Sequence, residues 1–479
     1  MGTNWRLILA GTALVAAPAL GAPAARAGDG APAGAAKPPA AAPAEPAAPA
    51  PQASKDLHAV IEDFIGAPVH GELTTRYRAR FTNDDTDQDL YEFADIRIGD
   101  EQKDRFSANL FLRSALDLDR AHSDRKGGFT FSSLADTFDS RFTTLLYTAY
   151  GTLRPRSGPV ETVRVGRQYV YTGETFHFDG ASATTKPLLD KLKLQFTAFG
   201  GVPVHFYESS SRGDWLAGLR AAAEPWKKGR VALDYTHDQD RTSILGDIRN
   251  DLAAASVWQG IGERTSLYGH FTWLDDPRDA TVRGTYAIPD ADFLVQASYY
   301  RLFREKREFA TEFDPYYSVI QELRRYHQAT LRASKGLGKD VDVEIGGSIR
   351  RLLSGEATTP FNRDTRRIYV TPTFSNFPWD AASVSLTGES YTGDGEAVQT
   401  WAFDFTQKFS KTTKLSVGSD YSLYAFGPLG ADERSHVRTA YARLRTSLSA
   451  SLSADIQFTW EKDDVETFHV LTLALVLRF

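Results

Sequence analysis

The chain has no cysteine among its 479 residues. Disulfides, thiolate metal sites, a cysteine nucleophile and covalent CxxCH haem attachment are therefore excluded. An excess of positive charge is also missing. The 55 Lys and Arg are set against 61 Asp and Glu, for a net charge of -6 with both signs well mixed, so no polybasic feature points to a nucleic-acid partner. GxSxG, P-loop and HExxH motifs do not occur, and the 10 histidines include no i, i+4 pair. An enzyme is not indicated by linear motifs. Beyond the N-terminal region, no segment has the roughly 18 apolar residues that a spanning helix needs. If this chain crosses a membrane, strands must do it.

What is present begins with "MGTNWRLILAGTALVAAPALGAPAARA". A basic start at Arg6, an apolar run from Leu7 to Leu20 and a small-x-small site at Ala25, Arg26 and Ala27 predict a secretory signal peptide over 1–27. An Ala/Pro-rich stretch over 28–53 cannot bury a core and reads as an extended periplasmic linker. "SKDLHAVIEDFIG" over 54–66 predicts a short amphipathic helix, with Ser54 as N-cap and Leu57, Val60, Ile61, Phe64 and Ile65 on one stripe. It could plug a barrel mouth, pack on its rim or bind a partner.

From Pro68 onwards the period changes from 3.6 to 2. "GELTTRYRARF" sets Leu73, Thr75, Tyr77, Ala79 and Phe81 against Glu72, Thr74, Arg76, Arg78 and Arg80. "LSADIQFTWE" sets Leu452, Ala454, Ile456, Phe458 and Trp460 against Ser453, Asp455, Gln457, Thr459 and Glu461. "TSLYGHFTW", "DVDVEIGGS" and "KLSVGSDYSL" alternate in the same way. In "TVRVGRQYVY", however, Arg167 falls on the parity of Val163, Val165 and Tyr169, which requires a bulge or a different register. "RNDLAAASVWQG" is too rich in alanine to assign a face.

About 22 strands, within a range of about 20 to 24, fit residues 68–479 at about 19 residues each. Tight connections such as "GDEQKD", "GIGE" and "GLGKD" alternate with a class that includes the longest, 120–138, 202–213, 238–250 and 303–322. The expected fold is an all-β, antiparallel, up-and-down transmembrane barrel with both ends in the periplasm. A soluble sandwich or propeller would also alternate, but no blade repeat is present. Aromatics also gather near strand ends, at Trp215, Trp226, Trp258, Trp273, Trp379 and Trp460, as interfacial girdles require.

The last strand, "FHVLTLALVLRF", carries Leu471, Leu473, Leu475, Leu477 and Phe479 at alternate positions. It resembles the closing strand of Gram-negative outer-membrane β-barrel (porin-like) proteins, in which a terminal Phe and alternating apolar residues are read by the barrel-assembly machinery. That resemblance implies an outer-membrane location amid lipid and lipopolysaccharide. Residues 71–119 are more loosely similar to the first hairpins of porin-like sheath components of porin–cytochrome conduits. Such a sheath encloses a multihaem c-type cytochrome and carries no haem itself; the similarity assigns no residue roles.

Charges facing lipid cost roughly 2–4 kcal/mol each at the bilayer midplane, so they are expected to line the lumen. Arg76, Arg78, Arg80, Arg113, Arg164, Asp342, Glu344, Asp404, Asp420, Arg443, Arg445 and Asp455 are the principal candidates, with Glu72, Asp95, Lys193, Asp234 and Glu461 on the same parity. The row Arg76, Arg78, Arg80 could favour anions; the alternative is that mixed charges pair across strands. A barrel this wide should be narrowed by something, and the 54–66 helix and the 303–322 loop are the candidates within the chain. The acidic loop "TNDDTDQDL", with Asp84, Asp85, Asp87 and Asp89, lacks the glycine and distal glutamate of a calcium loop. The expected function is a porin-like channel for small polar or charged solutes, without cofactor. A structural sheath for a cytochrome is the alternative, and an outer-membrane hydrolase a remote one.

Overall fold

The period-2 pattern folds as strands joined by turns, seen in a computed structural model that describes residues 67–82, 86–118, 141–206, 210, 212–242, 246–274, 276–304, 324–353, 363–393, 396–426, 433–463 and 467–479. The expected signal peptide, linker and helix lie outside these residues, as do connection 120–138 and nearly all of 303–322. The first strands are β1 (Val69–Phe81), β2 (Thr86–Ile98), β3 (Phe106–Asp117), β4 (Phe142–Leu153), β5 (Val160–Tyr171) and β6 (Thr175–Thr185). Next come β7 (Gln195–Pro203), β8 (Trp215–Ala223), β9 (Gly229–Thr242), β10 (Gly246–Ile261), β11 (Thr265–Leu274) and β12 (Asp276–Ile288). Then follow β13 (Phe293–Leu302), β14 (Tyr326–Gly336), β15 (Val341–Leu352), β16 (Thr365–Ser375) and β17 (Ala382–Gly393). The chain ends with β18 (Glu396–Lys408), β19 (Thr413–Phe426), β20 (Glu433–Ser447), β21 (Leu452–Lys462) and β22 (Thr467–Arg478).

Each strand pairs antiparallel with the next, and β22 pairs with β1 from Glu72↔Arg478 to Phe81↔His469. The result is a closed antiparallel barrel of 22 strands. Closure removes the two sheet edges that a long apolar terminal strand would otherwise expose. At the seam, Gly71 N donates to Phe479 O at 2.8 Å and Phe479 N donates to Gly71 O at 3.0 Å. The Phe479 ring lies over Gly71 so closely that a Cβ there would stand 2.4 Å from it. A side chain at 71 would have to displace the terminal ring from this place.

Register carries one parity around the whole ring. On one face Val165, Leu219, Leu233, Ile345, Ile368, Trp401 and Leu475 are exposed. The other face carries Ser and Thr pairs such as Thr371 with Thr387 (3.0 Å), Thr373 with Ser385 (3.1 Å) and Thr406 with Ser416 (3.0 Å). This polar face lines an internal cavity of about 1340 Å³, so the outside is apolar and the inside polar. Such an arrangement inverts the usual soluble pattern and suits a bilayer.

The two connection classes fall at opposite ends. Turns 99–105, 154–159, 262–264, 337–340 and 448–451 share the end that holds both the start of β1 and the C-terminus. One expectation fails: 238–250 is no long loop, because β9 and β10 pair through it from Asp238↔Asn250 to Thr242↔Gly246. Its polar composition marks a hairpin that extends the ladder, where Asp and Asn face inward. The alanine-rich stretch that follows directs Asn250, Leu252, Ala254, Ser256 and Trp258 to the inner face. Trp258 therefore does not belong to an outer girdle; its ring packs at a tilt against Tyr268 inside, with centroids 5.1 Å apart.

Candidate functional site

The strand register places Glu72, Arg76, Arg78, Arg80, Asp95, Arg113, Arg164, Asp234, Asp342, Glu344, Asp404, Asp420, Arg443, Arg445, Asp455 and Glu461 on the inner face. Lys193 is different: it sits in the turn between β6 and β7 with a positive φ and pairs with Glu224 at 2.5 Å. Many inner charges have partners on the neighbouring strand. Arg78 meets Asp89 at 2.6 Å and Arg367 meets Glu389 at 2.7 Å, while Arg164 reaches Glu101 of the 99–105 turn at 2.5 Å. Arg443 and Arg445 share Asp455, at 2.5 and 3.1 Å, while Arg332 is bonded to Glu344. Arg478 reaches Glu72 at 2.9 Å across the closing seam.

The row on β1 is accordingly not a free anion ladder. Arg80 pairs with Asp87, and Asp89, fully buried, also lies 3.7 Å from Arg80. Tyr91 donates its hydroxyl to Asp89 at 2.8 Å. Arg76 instead extends over the Phe93 ring at 5.0 Å and lines the cavity. Asp87 and Asp89, read from sequence as part of an acidic loop, are strand residues that neutralise these arginines; Asp84 and Asp85 lie outside the described residues. An Arg-x-Arg opposite an Asp-x-Asp across a hairpin was the available signal.

The cavity lies at the end that holds the chain terminus, against β1, β2 and β18 to β22. Lys408 and Lys414 face each other there in register, and Arg445 is the next partner of Lys414. Like charges set directly opposite cost a few tenths of a kcal/mol to about 1 kcal/mol. With Arg76 and Lys411 they make this mouth cationic.

The narrowing element among the described residues is one that sequence reasoning missed. β4 and β5 pair over only five residue pairs, from Ala149↔Arg167 to Leu153↔Val163. Above that point the β5–β6 hairpin leaves the wall and lies inward across the neighbouring strands. Glycines allow the bend. Gly166 has φ +125°, and a Cβ at Gly180 would meet Gly200 O at 2.1 Å. Val170, Phe176 and Phe178 on the hairpin then pack with Phe199, Leu216, Leu252 and Leu274 of the wall as a buried apolar cluster on the inner side. At the tip, Gly173 rests on Ala254, Arg220 donates to Tyr171 O at 3.1 Å, and Arg278 pairs with Glu174.

This bend also resolves the Arg167 anomaly. Arg167 does keep the parity of Val163 and Val165, but it stands where β5 separates from β4. It pairs with Asp179 at 2.6 Å and donates to Leu146 O at 3.2 Å. His177 contacts Tyr147 O at 2.8 Å. Two side chains thus satisfy β4 carbonyls that a ladder would otherwise engage, as a low-dielectric setting demands. A row of rings, Phe111, Tyr147, Phe206 and His177, spans the split at centroid separations of 5.0, 5.0 and 5.1 Å. The run of glycines at 166, 180, 200 and 201, together with the inward apolar residues, was the sequence signal for this departure.

Among the described residues, no cluster of three or more His, Asp or Glu is arranged to hold a metal ion. No family model matches the chain, and no curated protein matches it. Solved structures do match. OccAB3 of Acinetobacter baumannii aligns with a TM-score of 0.43 at 12% identity, over 86% of this chain and 99% of that one. The P pilus usher (PapC) translocation pore aligns at 0.49 and 8% identity, over 86% and 99%. A BenF-like porin from Pseudomonas fluorescens Pf-5 aligns at 0.43 and 10% identity, over 86% and 98%.

Proposed function

We propose that this chain is an outer-membrane channel that passes small polar or charged solutes through a charged lumen. One observation carries the reading: around a closed ring the outer parity is largely apolar and the inner parity largely polar, with the β5–β6 hairpin as the local exception. On this reading the short-turn end faces the periplasm, lipid and lipopolysaccharide cover the outer face, and Leu471, Leu473, Leu475, Leu477 and Phe479 serve the assembly machinery. Enzymatic chemistry is not part of the reading. A sheath for a multihaem cytochrome would leave its lumen to the partner, whereas here the β5–β6 hairpin already lies across it.

Cross-strand pairing of the inner charges argues for weak ion selectivity, with the unpaired excess at Lys408, Lys414 and Arg76 tilting it towards anions. Purified protein in a planar bilayer is expected to give ohmic steps, and a KCl gradient a small reversal potential of anionic sign. Lys408→Glu with Lys414→Glu should reverse that sign. Bilayers that stay silent, with protein that copurifies with haem, would instead favour the sheath.

A further inference from the structure

We propose that the outer face of β1 to β4 is an interface at which two copies of this chain associate within the bilayer, with Glu92 of each copy hydrogen-bonded to hydroxyl groups of the other. The inference rests on the outer face lying in lipid and is independent of what the lumen passes.

The observation behind it is a polar row on the apolar face. Register aligns Thr75 of β1, Glu92 of β2, Ser114 of β3 and Thr144 of β4 side by side, on the outer parity of Leu73, Leu90 and Leu112. Glu92 is exposed and is the middle residue of its 13-residue strand, as Thr75 is of its own. By contrast Arg301, Arg366 and Lys462, charges of the same outer parity, stand within two residues of a strand end, where water and headgroups come within reach. A carboxylate half-way across the hydrocarbon has no such outlet.

The row is only half satisfied within one copy. Thr75 donates to Glu92 at 2.7 Å, and the hydroxyls of Ser114 and Thr144 share a hydrogen bond at 3.0 Å. That second pair uses one of its two hydroxyl protons and keeps the other to give, while a carboxylate accepts up to about four hydrogen bonds. Acceptor and donor therefore stand on adjacent strands of one face, and hydrocarbon can answer neither.

A second copy answers both. It brings the same row at the same depth and in the same orientation, because every copy inserts with its termini on the same side. A two-fold axis along the membrane normal, passing between β2 and β3, sets Glu92 of each copy before Ser114 and Thr144 of the other. This is the reciprocal contact of an isologous interface. The same axis offsets the two carboxylates from each other by a strand spacing, so hydroxyls rather than like charges meet. Apolar side chains frame the row, with Tyr77, Leu90 and Leu116 on one side and Leu73, Leu112 and Leu146 on the other. These pack as well on lipid as on protein, so the polar row decides the association.

Single cysteines report the geometry without background, since the chain has none of its own. Full-length protein in lipid vesicles at low density, with one dye attached to each chain, is expected to bleach in two steps. Ser114→Cys, near the axis, should give a disulfide-linked dimer on oxidation. Leu331→Cys, exposed on β14 about half the ring away, should not. Glu92→Leu should weaken association about tenfold or more, yet give as much heat-modifiable barrel as the original or more, because leucine suits a lipid-facing position. Glu92→Gln keeps an acceptor and should keep the dimer. The opposite signs for Glu92→Leu separate an interface residue from one needed for folding. Single-step bleaching of the unmodified protein, equal crosslinking from positions 114 and 331, or a Glu92→Leu dimer as tight as the original would overturn the interface and leave Glu92 a solitary lipid-facing acid. Failure of the unmodified protein to enter vesicles in heat-modifiable form would overturn the membrane reading instead.

Discussion

Replacing Asp89 with alanine is expected to destabilise the folded barrel by about 3–5 kcal/mol, the usual consequence of leaving a buried charge without its partner. Asp89 is wholly buried, accepts from Arg78 and Tyr91, and stands near Arg80. Its loss would leave Arg78 without its carboxylate partner, while Arg80, 6% exposed, would keep Asp87. Asp95→Ala on the same strand is the control. Its partner Arg97 has a side chain 54% exposed, so the pair is screened by solvent and its loss should cost no more than about 1 kcal/mol. Denaturant titration of both variants in the same detergent, followed by the heat-modifiable shift in gel mobility, measures the difference. Equal midpoints would show that the β1–β2 charges are solvated rather than structural.

The contrast explains what was legible in the sequence. Alternation reports which face a residue occupies, because the strand period is 2 and a polar residue facing lipid is costly. Hence the strand count, the closure of "FHVLTLALVLRF" on "GELTTRYRARF" and the inner parity could all be read from residues alone. Alternation says nothing about what stands opposite. The pairing of Arg78 with Asp89 depends on the length of the β1–β2 hairpin, and without that register Arg76, Arg78 and Arg80 look like a free ladder. The inward hairpin was hidden for a related reason. Val170, Phe176 and Phe178 are apolar on the inner parity, which violates the expected pattern locally, and only the glycine line across three strands reveals that the strand has left the wall. Arg167 carried that information and looked like an error of register.

The closing strand gives the sharpest test of the parity itself, because Leu473 and Ala474 are adjacent in sequence and opposite in environment. Leu473 lies on the outer face between Tyr77 and Ile456, and Ala474 on the inner face between Arg76 and Asp455. Leu473→Arg would place a guanidinium in the apolar belt near mid-strand, at a cost of roughly 2–4 kcal/mol in a bilayer. Ala474→Arg would add the same group to a hydrated wall within reach of Asp455, and folding should change by less than about 1 kcal/mol. The first variant is expected to refold poorly into lipid vesicles and yield little heat-modifiable species. The second should fold normally and shift conductance through the cationic mouth. Phe479→Ala should behave like the first in cells, with reduced insertion, because Gly71 would lose the ring that covers it; the fraction that does insert should conduct normally. Were Leu473→Arg to fold as well as Ala474→Arg, the outer face would be in water, and the barrel would have to be read as a soluble one.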